Sequence, residues 1–191
     1  MLAAIQNRRS VRQYLEKPLP RSVLDEIIQA GRLAPSGGNS QSCHFIVIQN
    51  SQVIAHLNAL AQAEFAGMEP APDMYRSLRA SIQQAKKGRL NFTYGAPVLV
   101  VVANQAGYCN AMADSAVAIE NMMLEATAQG IGSCWLNQLH WLDQRPSIRR
   151  EMLSLGLDEA ETICGAVALG YSNQPLRPPL PRHGNPVTFI D

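Results

Sequence analysis

The stretch from Asp114 to Leu139 constrains the fold more than any other part of the chain. From Asp114 to Gln129 it reads as a long helix whose apolar residues are Ala116, Val117, Ala118, Ile119, Met122, Met123, Leu124 and Ala126. These residues surround most of the helix instead of lining one stripe, which is the pattern of a helix buried on several sides. The alanines keep it thin, so another helix can approach closely. Gly130 stands where a left-handed residue ends such a helix. Ile131-Gly132-Ser133-Cys134-Trp135-Leu136 then reads as a short buried strand that runs into the polar pair Asn137-Gln138. A helix of this kind needs a large partner surface, and a chain of 191 residues is expected to find part of it in a second copy of itself.

That length suits one core, and a single domain over residues 1–191 is the expectation. An apolar content of 47% with 16% charged residues is ordinary for a globular protein, and a net charge of +1 gives no global reason to expect nucleic acid or an acidic membrane surface. No apolar run approaches the roughly 20 residues of a membrane span. Met1 to Asn7 is too short for a secretory leader and is followed by arginines. Cys43, Cys109, Cys134 and Cys164 show no Cys-x-x-Cys spacing, so neither a zinc site nor a redox pair is suggested. A reduced, cytoplasmic protein without a metal site is the expectation.

Two segments carry chemistry-bearing residues. After a short helix over residues 2–7 comes Arg8-Arg9-Ser10-Val11-Arg12. If this run is extended, Arg8, Ser10 and Arg12 share one side, because side chains alternate along extended chain. Two guanidinium forks around a hydroxyl suit a phosphate dianion, although the same run also reads as a solvated basic patch. The second segment is the loop Pro35-Ser36-Gly37-Gly38-Asn39-Ser40-Gln41, between a helix from Arg21 to about Leu33 and a strand beginning at His44. Paired glycines let backbone come close to a ligand. Asn39 and Gln41 each offer a donor and an acceptor, which suits the edge of a heterocycle; a plain turn with polar filler is the other reading.

The remaining chain supplies scaffold. Ser51 to Phe65 reads as an amphipathic helix, Pro97 to Val102 and Thr162 to Gly170 as buried strands, and Pro146 to Leu155 as a helix. Met74 to Gly88 has weak periodicity and suggests a further helix. Residues 175–191 are proline-rich and end in the β-prone Val187-Thr188-Phe189-Ile190. Proline at that density favours an extended arm; a disordered tail is the alternative.

The order of these pieces resembles the nitroreductase family of FMN-dependent oxidoreductases. The matching stretches are Arg8 to Arg12, Ala34 to Gln41, Gly95-Ala96-Pro97 entering a strand, Asp114 to Leu139, and Gly170-Tyr171 before the arm. The resemblance implies an α+β fold: a three-layer sandwich with a central mixed β-sheet flanked by helices, and a C-terminal arm exchanged in a homodimer. It implies that Arg8, Ser10 and Arg12 hold the FMN phosphate, with Arg9 as a neighbour and Arg182 reaching the same phosphate. Pro35, Ser36 and Gly37 would line the flavin from the partner subunit, and Asn39 would bond its pyrimidine edge, with Gln41 beside it. The turn at Asn137 and Gln138 would bring backbone amides to the hydride-accepting ring nitrogen. Many relatives carry an acidic residue and a glycine at that turn, and this departure bears on substrate and redox tuning. The implied function is reduction of an electron-poor small molecule, a nitroaromatic or a quinone, by NAD(P)H in ping-pong order, with no catalytic side chain. The resemblance also admits flavin fragmentation, dehalogenation or heterocycle oxidation on the same scaffold. A flavin-binding module without turnover, or an unrelated phosphate-binding protein, stands outside it.

Overall fold

A computed structural model of the chain describes residues 2–190 except Leu176, Arg177, Leu180 and Arg182. The central strands are β1 (His44–Ile48), β2 (Val98–Gln105), β3 (Gly132–Leu136) and β4 (Glu161–Gly170), in the spatial order β1-β2-β4-β3. Each neighbouring pair is antiparallel. The parallel part of the sheet is an isolated bridge between Ser10 and Ser133 on the outer side of β3.

Two cores, one on each face of the sheet, follow from the alternation of side chains along β2. Leu99, Val101 and Ala103 face one core, while Val98, Val100 and Val102 face the other. The first core packs under α3 (Ser51–Ala66), α4 (Arg76–Lys86), α6 (Gln138–Trp141) and α7 (Pro146–Ser154), through Leu57, Phe65, Ile82, Leu139 and Ile148. The second packs under α2 (Arg21–Arg32) and α5 (Ala111–Ala128), through Leu24, Ile27, Ile119, Met122 and Met123. On β4 the alternation slips by one residue at a bulge: Val102 pairs with Gly165 and Ala103 with Ile163, leaving Cys164 without an opposite residue. Ile163 and Ala166 therefore reach the same core although they are three positions apart.

The long helix is α5, and it begins three residues earlier than the sequence suggests. Gly130, at φ +72°, ends it, and Ile131 N–H returns to Ala126 C=O at 2.8 Å. Ile119 and Met122 are fully buried, each stabilising the fold by about 1.5–3 kcal/mol. The thin crossing with α2 is visible at Gly31, where an added Cβ would stand 2.8 Å from Met122 Cγ. Asn121 Nδ2 donates to Ala30 C=O at 3.1 Å across the same crossing. Met112 and Val117 of α5 stay exposed, as do Leu2 and Ile5 of α1 (Leu2–Asn7), which packs on α5. Apolar surface thus remains uncovered on this face.

Beyond β4, Tyr171 C=O accepts from Leu15 N–H and Asn173 N–H donates to Gln13 C=O. Among the described residues of the arm, Val187, Phe189 and Ile190 are exposed, Ile190 at 95%.

Candidate functional site

Arg8 to Tyr14 runs extended beside β3. Val11 N–H donates to Ser133 C=O at 2.9 Å. Val11 is buried against Gly132, where an added Cβ would stand 2.9 Å from Val11 Cγ2. With Val11 turned inward, Ser10 and Arg12 are exposed on the opposite side. The Arg12 guanidinium lies over the Tyr94 ring, 5.8 Å from its centroid. Arg8 Nε lies 3.5 Å from Glu120 Oε1 on α5. Arg9 Nη1 donates to Gln6 C=O at 2.8 Å.

The same strand leads to the expected turn at Asn137 and Gln138. Asn137 Oδ1 accepts from Trp135 Nε1 at 2.7 Å, which fixes the side chain at the end of β3. Gln138 is not in a simple turn: it opens the short helix α6, whose first amides have no partners within the helix. Gln138 Nε2 donates to Ser81 Oγ on α4 at 3.3 Å. Its Oε1, like Ser133 Oγ on β3, is buried with no hydrogen-bond partner among the described residues. An unsatisfied buried polar atom costs about 1–3 kcal/mol unless a ligand meets it.

Arg12 and Gln138 meet at one cavity of about 550 Å³, within the usual range for small-molecule sites. Its other walls come from α4 (Ser77, Ala80, Ser81, Gln84) and from the segment Arg89 to Phe92 with Tyr94. Tyr94 has φ +57°, a left-handed backbone that a bulky residue rarely adopts. Such outliers persist where the surroundings enforce them, and they gather at binding sites. No carboxylate, imidazole or thiol lines this cavity. Behind it, burial pushes the Cys134 thiol above its ordinary range, against the pull of the Arg12 and Arg8 charges. Burial likewise raises Tyr14, whose hydroxyl donates to Val11 C=O at 2.9 Å. At neutral pH both groups stay protonated. Among the described residues no group of three or more His, Cys, Asp or Glu side chains could hold a metal ion.

The loop Pro35 to Gln41 lies elsewhere in the chain. It is held by Asp114 in the first turn of α5, whose carboxylate accepts from Gly37 N–H at 3.1 and 3.2 Å and from the Tyr108 hydroxyl at 3.2 Å. Gln41 N–H donates to Ser36 Oγ at 3.0 Å. Asn39 and Gln41 are exposed, with φ of +56° and +51°. Pro35, Ser36 and Gln41 border a separate hollow of about 120 Å³ that also includes Cys43 and Asp114. One copy of the chain therefore brings Arg12 and Gln138 to one cavity, leaves Ser10 and Asn137 outside its lining, and places the glycine loop at a different hollow. Arg182 lies outside the described residues.

Sequence reasoning missed Tyr94, Ser81, Arg89 and the anchoring part of Asp114. A signal for the cavity wall was present in the charge pattern: from Met74 to Ala113 there are five cations and no acid.

The sequence profile of the Nitroreductase family matches residues 5–171. A nitroreductase crystal structure with bound FMN from Bacteroides fragilis superposes with a TM-score of 0.88, at 36% identity, covering 100% of this chain and 98% of that one. A second, from Desulfitobacterium hafniense and also with bound FMN, gives a TM-score of 0.84 at 26% identity over 100% and 97% of the two chains. Among characterised relatives, a 4-nitrobenzoate reductase from a Nocardioides species is 26% identical, covering 98% of this chain and 89% of its own length. Three layers, a cationic cavity beside β3 and a profile match over most of the sequence agree: the chain belongs to the nitroreductase family.

Proposed function

We propose that this chain is an FMN-dependent oxidoreductase that uses NAD(P)H to reduce an electron-poor small molecule, a nitroaromatic or a quinone. The observation that carries the reading is the cavity beside β3. There the Arg12 guanidinium, paired with no acid among the described residues, shares a wall with the Gln138 side chain. A ligand carrying both a phosphate and a polar heterocycle suits this pairing of a cation with an amide side chain, and FMN has both. Bound FMN would take a hydride from NAD(P)H and pass the electrons to the acceptor in ping-pong order. For a nitro group the net two-electron change consumes NAD(P)H and one proton and yields the nitroso compound, NAD(P)+ and water.

The protein's own part is binding, orientation and exclusion of water. Arg8, Ser10 and Arg12 hold the phosphate, with Arg9 adjacent and Arg182 added from the arm. Gln138 and Asn137, with the free amides opening α6, would hold the flavin ring, which would supply the redox chemistry. Residues 1–191 work as one flavin-binding domain within a homodimer. The partner subunit's Pro35, Ser36 and Gly37, with Asn39 and Gln41 on the same loop, close the site, which accounts for the separation of that loop from Arg12 within one chain. Residues 175–191 cross to the other copy, and Val187 to Ile190 add a strand to the outer edge of β1, the sheet edge with no paired strand among the described residues. We place the enzyme in the cytoplasm, a reading supported by four unpaired cysteines. No helix of the described residues is long and apolar enough to cross a membrane.

Initial rates at several concentrations of NADPH and of a nitroaromatic acceptor test this reading. Parallel double-reciprocal lines are expected from one site used twice. Intersecting lines would require a ternary complex and a second site, and a protein that purifies colourless and cannot be reconstituted with FMN would overturn the assignment.

A further inference from the structure

Charge is distributed very unevenly around the cavity beside β3. The whole chain has 16 Lys and Arg against 15 Asp and Glu, yet from Met74 to Ala113 it carries Arg76, Arg79, Lys86, Lys87 and Arg89 and no acid at all. This segment contains α4 and the chain up to Tyr94, which together form most of the cavity wall. The cavity is lined by two guanidinium groups, Arg12 and Arg89, and by no carboxylate. Neither arginine forms an ion pair among the described residues. Lys86, by contrast, is taken up by Glu69 at 2.5 Å, and Arg79 Nη1 donates to Pro72 C=O at 2.7 Å.

The position of Arg89 is set by the end of α4. Gly88 adopts φ +65°, and Arg89 N–H returns to Gln84 C=O at 2.9 Å while Gly88 N–H meets Ala85 C=O at 2.8 Å. This is the paired closure of a glycine-ended helix, so the residue after the glycine leaves the helix in a fixed direction. Gln84 and Arg89, joined by that hydrogen bond, both line the cavity. A cation held at the rim of a low-dielectric hollow with no internal counter-charge attracts an anion from solution.

If Arg12 serves the flavin phosphate, as the proposed function holds, Arg89 is a second and separate cationic group. We propose that Arg89 is a specificity-determining residue that binds the carboxylate of an electron-poor aromatic acceptor, so that the enzyme takes anionic acceptors in preference to neutral ones of similar electron demand. The inference rests on the oxidoreductase reading and adds the charge of the acceptor to it. The basic run of α4 raises the local concentration of such acceptors, an effect that salt screens, and the planar guanidinium of Arg89 pairs with the carboxylate directly.

The test uses the FMN-loaded dimer and two probes, 4-nitrobenzoate and 4-nitrobenzamide. The wild-type enzyme is expected to show higher kcat/KM for the carboxylate. Arg89→Gln should lower kcat/KM for 4-nitrobenzoate about tenfold to hundredfold, chiefly through KM, as expected for lost hydrogen bonds between charged groups. The amide should be unaffected. Arg89→Lys should restore part of the preference, and Arg21→Gln, on α2 across the sheet, should leave it in place. Reduction of the bound flavin by NADPH, followed by its absorbance without any acceptor, should match wild type in every variant. Equal losses for the two acceptors would overturn the proposal. So would slower reduction by NADPH with an unchanged acceptor ratio, which would assign Arg89 to the phosphates of the reductant. A reduced flavin with an acceptor ratio near one sinks only the anion preference. A flavin that NAD(P)H cannot reduce sinks the oxidoreductase reading, and this proposal with it.

Discussion

Arg9 and Arg12 stand three positions apart in one extended run, and only Arg12 lines the cavity. Val11 decides this: its burial against Gly132 turns Ser10 and Arg12 outward, while Arg9 Nη1 is used by the local backbone at Gln6. Arg12→Ala is therefore expected to weaken FMN binding about tenfold to hundredfold, the cost of losing hydrogen bonds to a charged group. Arg9→Ala should weaken it less, and a flavin titration of both variants checks this. Equal losses would mean that Arg9 also touches the phosphate. That Arg12 turns outward and that a polar pair follows the buried strand were legible in the sequence, because alternation and the end of a buried strand are local patterns. Tyr94 was not, since its role depends on a positive φ and on lying under Arg12, neither of which leaves a local mark. Asp114 was visible as the start of the long helix, but its grip on Gly37, 77 positions away, was not.

Elements with a strong period were read nearly to their ends. The helix expected from Ser51 to Phe65 runs from Ser51–Ala66, and the strand expected from Thr162 begins one residue earlier. The exceptions have physical causes. α6 is four residues long, too short to show a helical period, and it was read as a turn. α4 was only a suggestion because its buried face is Ser81, Ile82 and Ala85, small and partly polar. The bulge at Cys164 also escaped notice, since an apolar run looks the same with or without a slipped register. At the far end of β4, Gly170 lies against two rings: an added Cβ would stand 2.6 Å from Pro97 Cδ and 2.9 Å from Tyr14 Cδ1. At Gly165 the nearest atom is the terminal Cδ1 of Ile119, also at 2.9 Å, which a rotamer change can move aside. Gly170→Ala should thus destabilise the protein by about 1–3 kcal/mol, the usual range for overpacking, and by more than Gly165→Ala. Denaturant midpoints of the two variants make the comparison, and the reverse order would mean that the Pro97 segment yields easily.

At the scale of the whole molecule, the exposed arm, the open edge of β1 and the uncovered Met112 and Val117 all concern surface that one copy leaves unused. Truncation after Pro175 is expected to lower dimer stability and FMN occupancy together, and the flavin loss should exceed that of Arg182→Ala alone, because strand and phosphate contact disappear at once. Sedimentation and flavin content would decide it; a truncated protein that stays dimeric, yellow and equally heat-stable would reduce the arm to a dispensable tail. The three-layer plan was legible through the family resemblance, which rests on several local motifs standing in one order along the chain. The arrangement of β2 also governs how the body comes apart. Val98 and Val100 belong to one core and Leu99 and Val101 to the other, so neither layer of helices can detach without stripping apolar surface from a strand that still supports its counterpart. The two hydrophobic cores are one cooperative unit with a shared spine, and loss of either is loss of both.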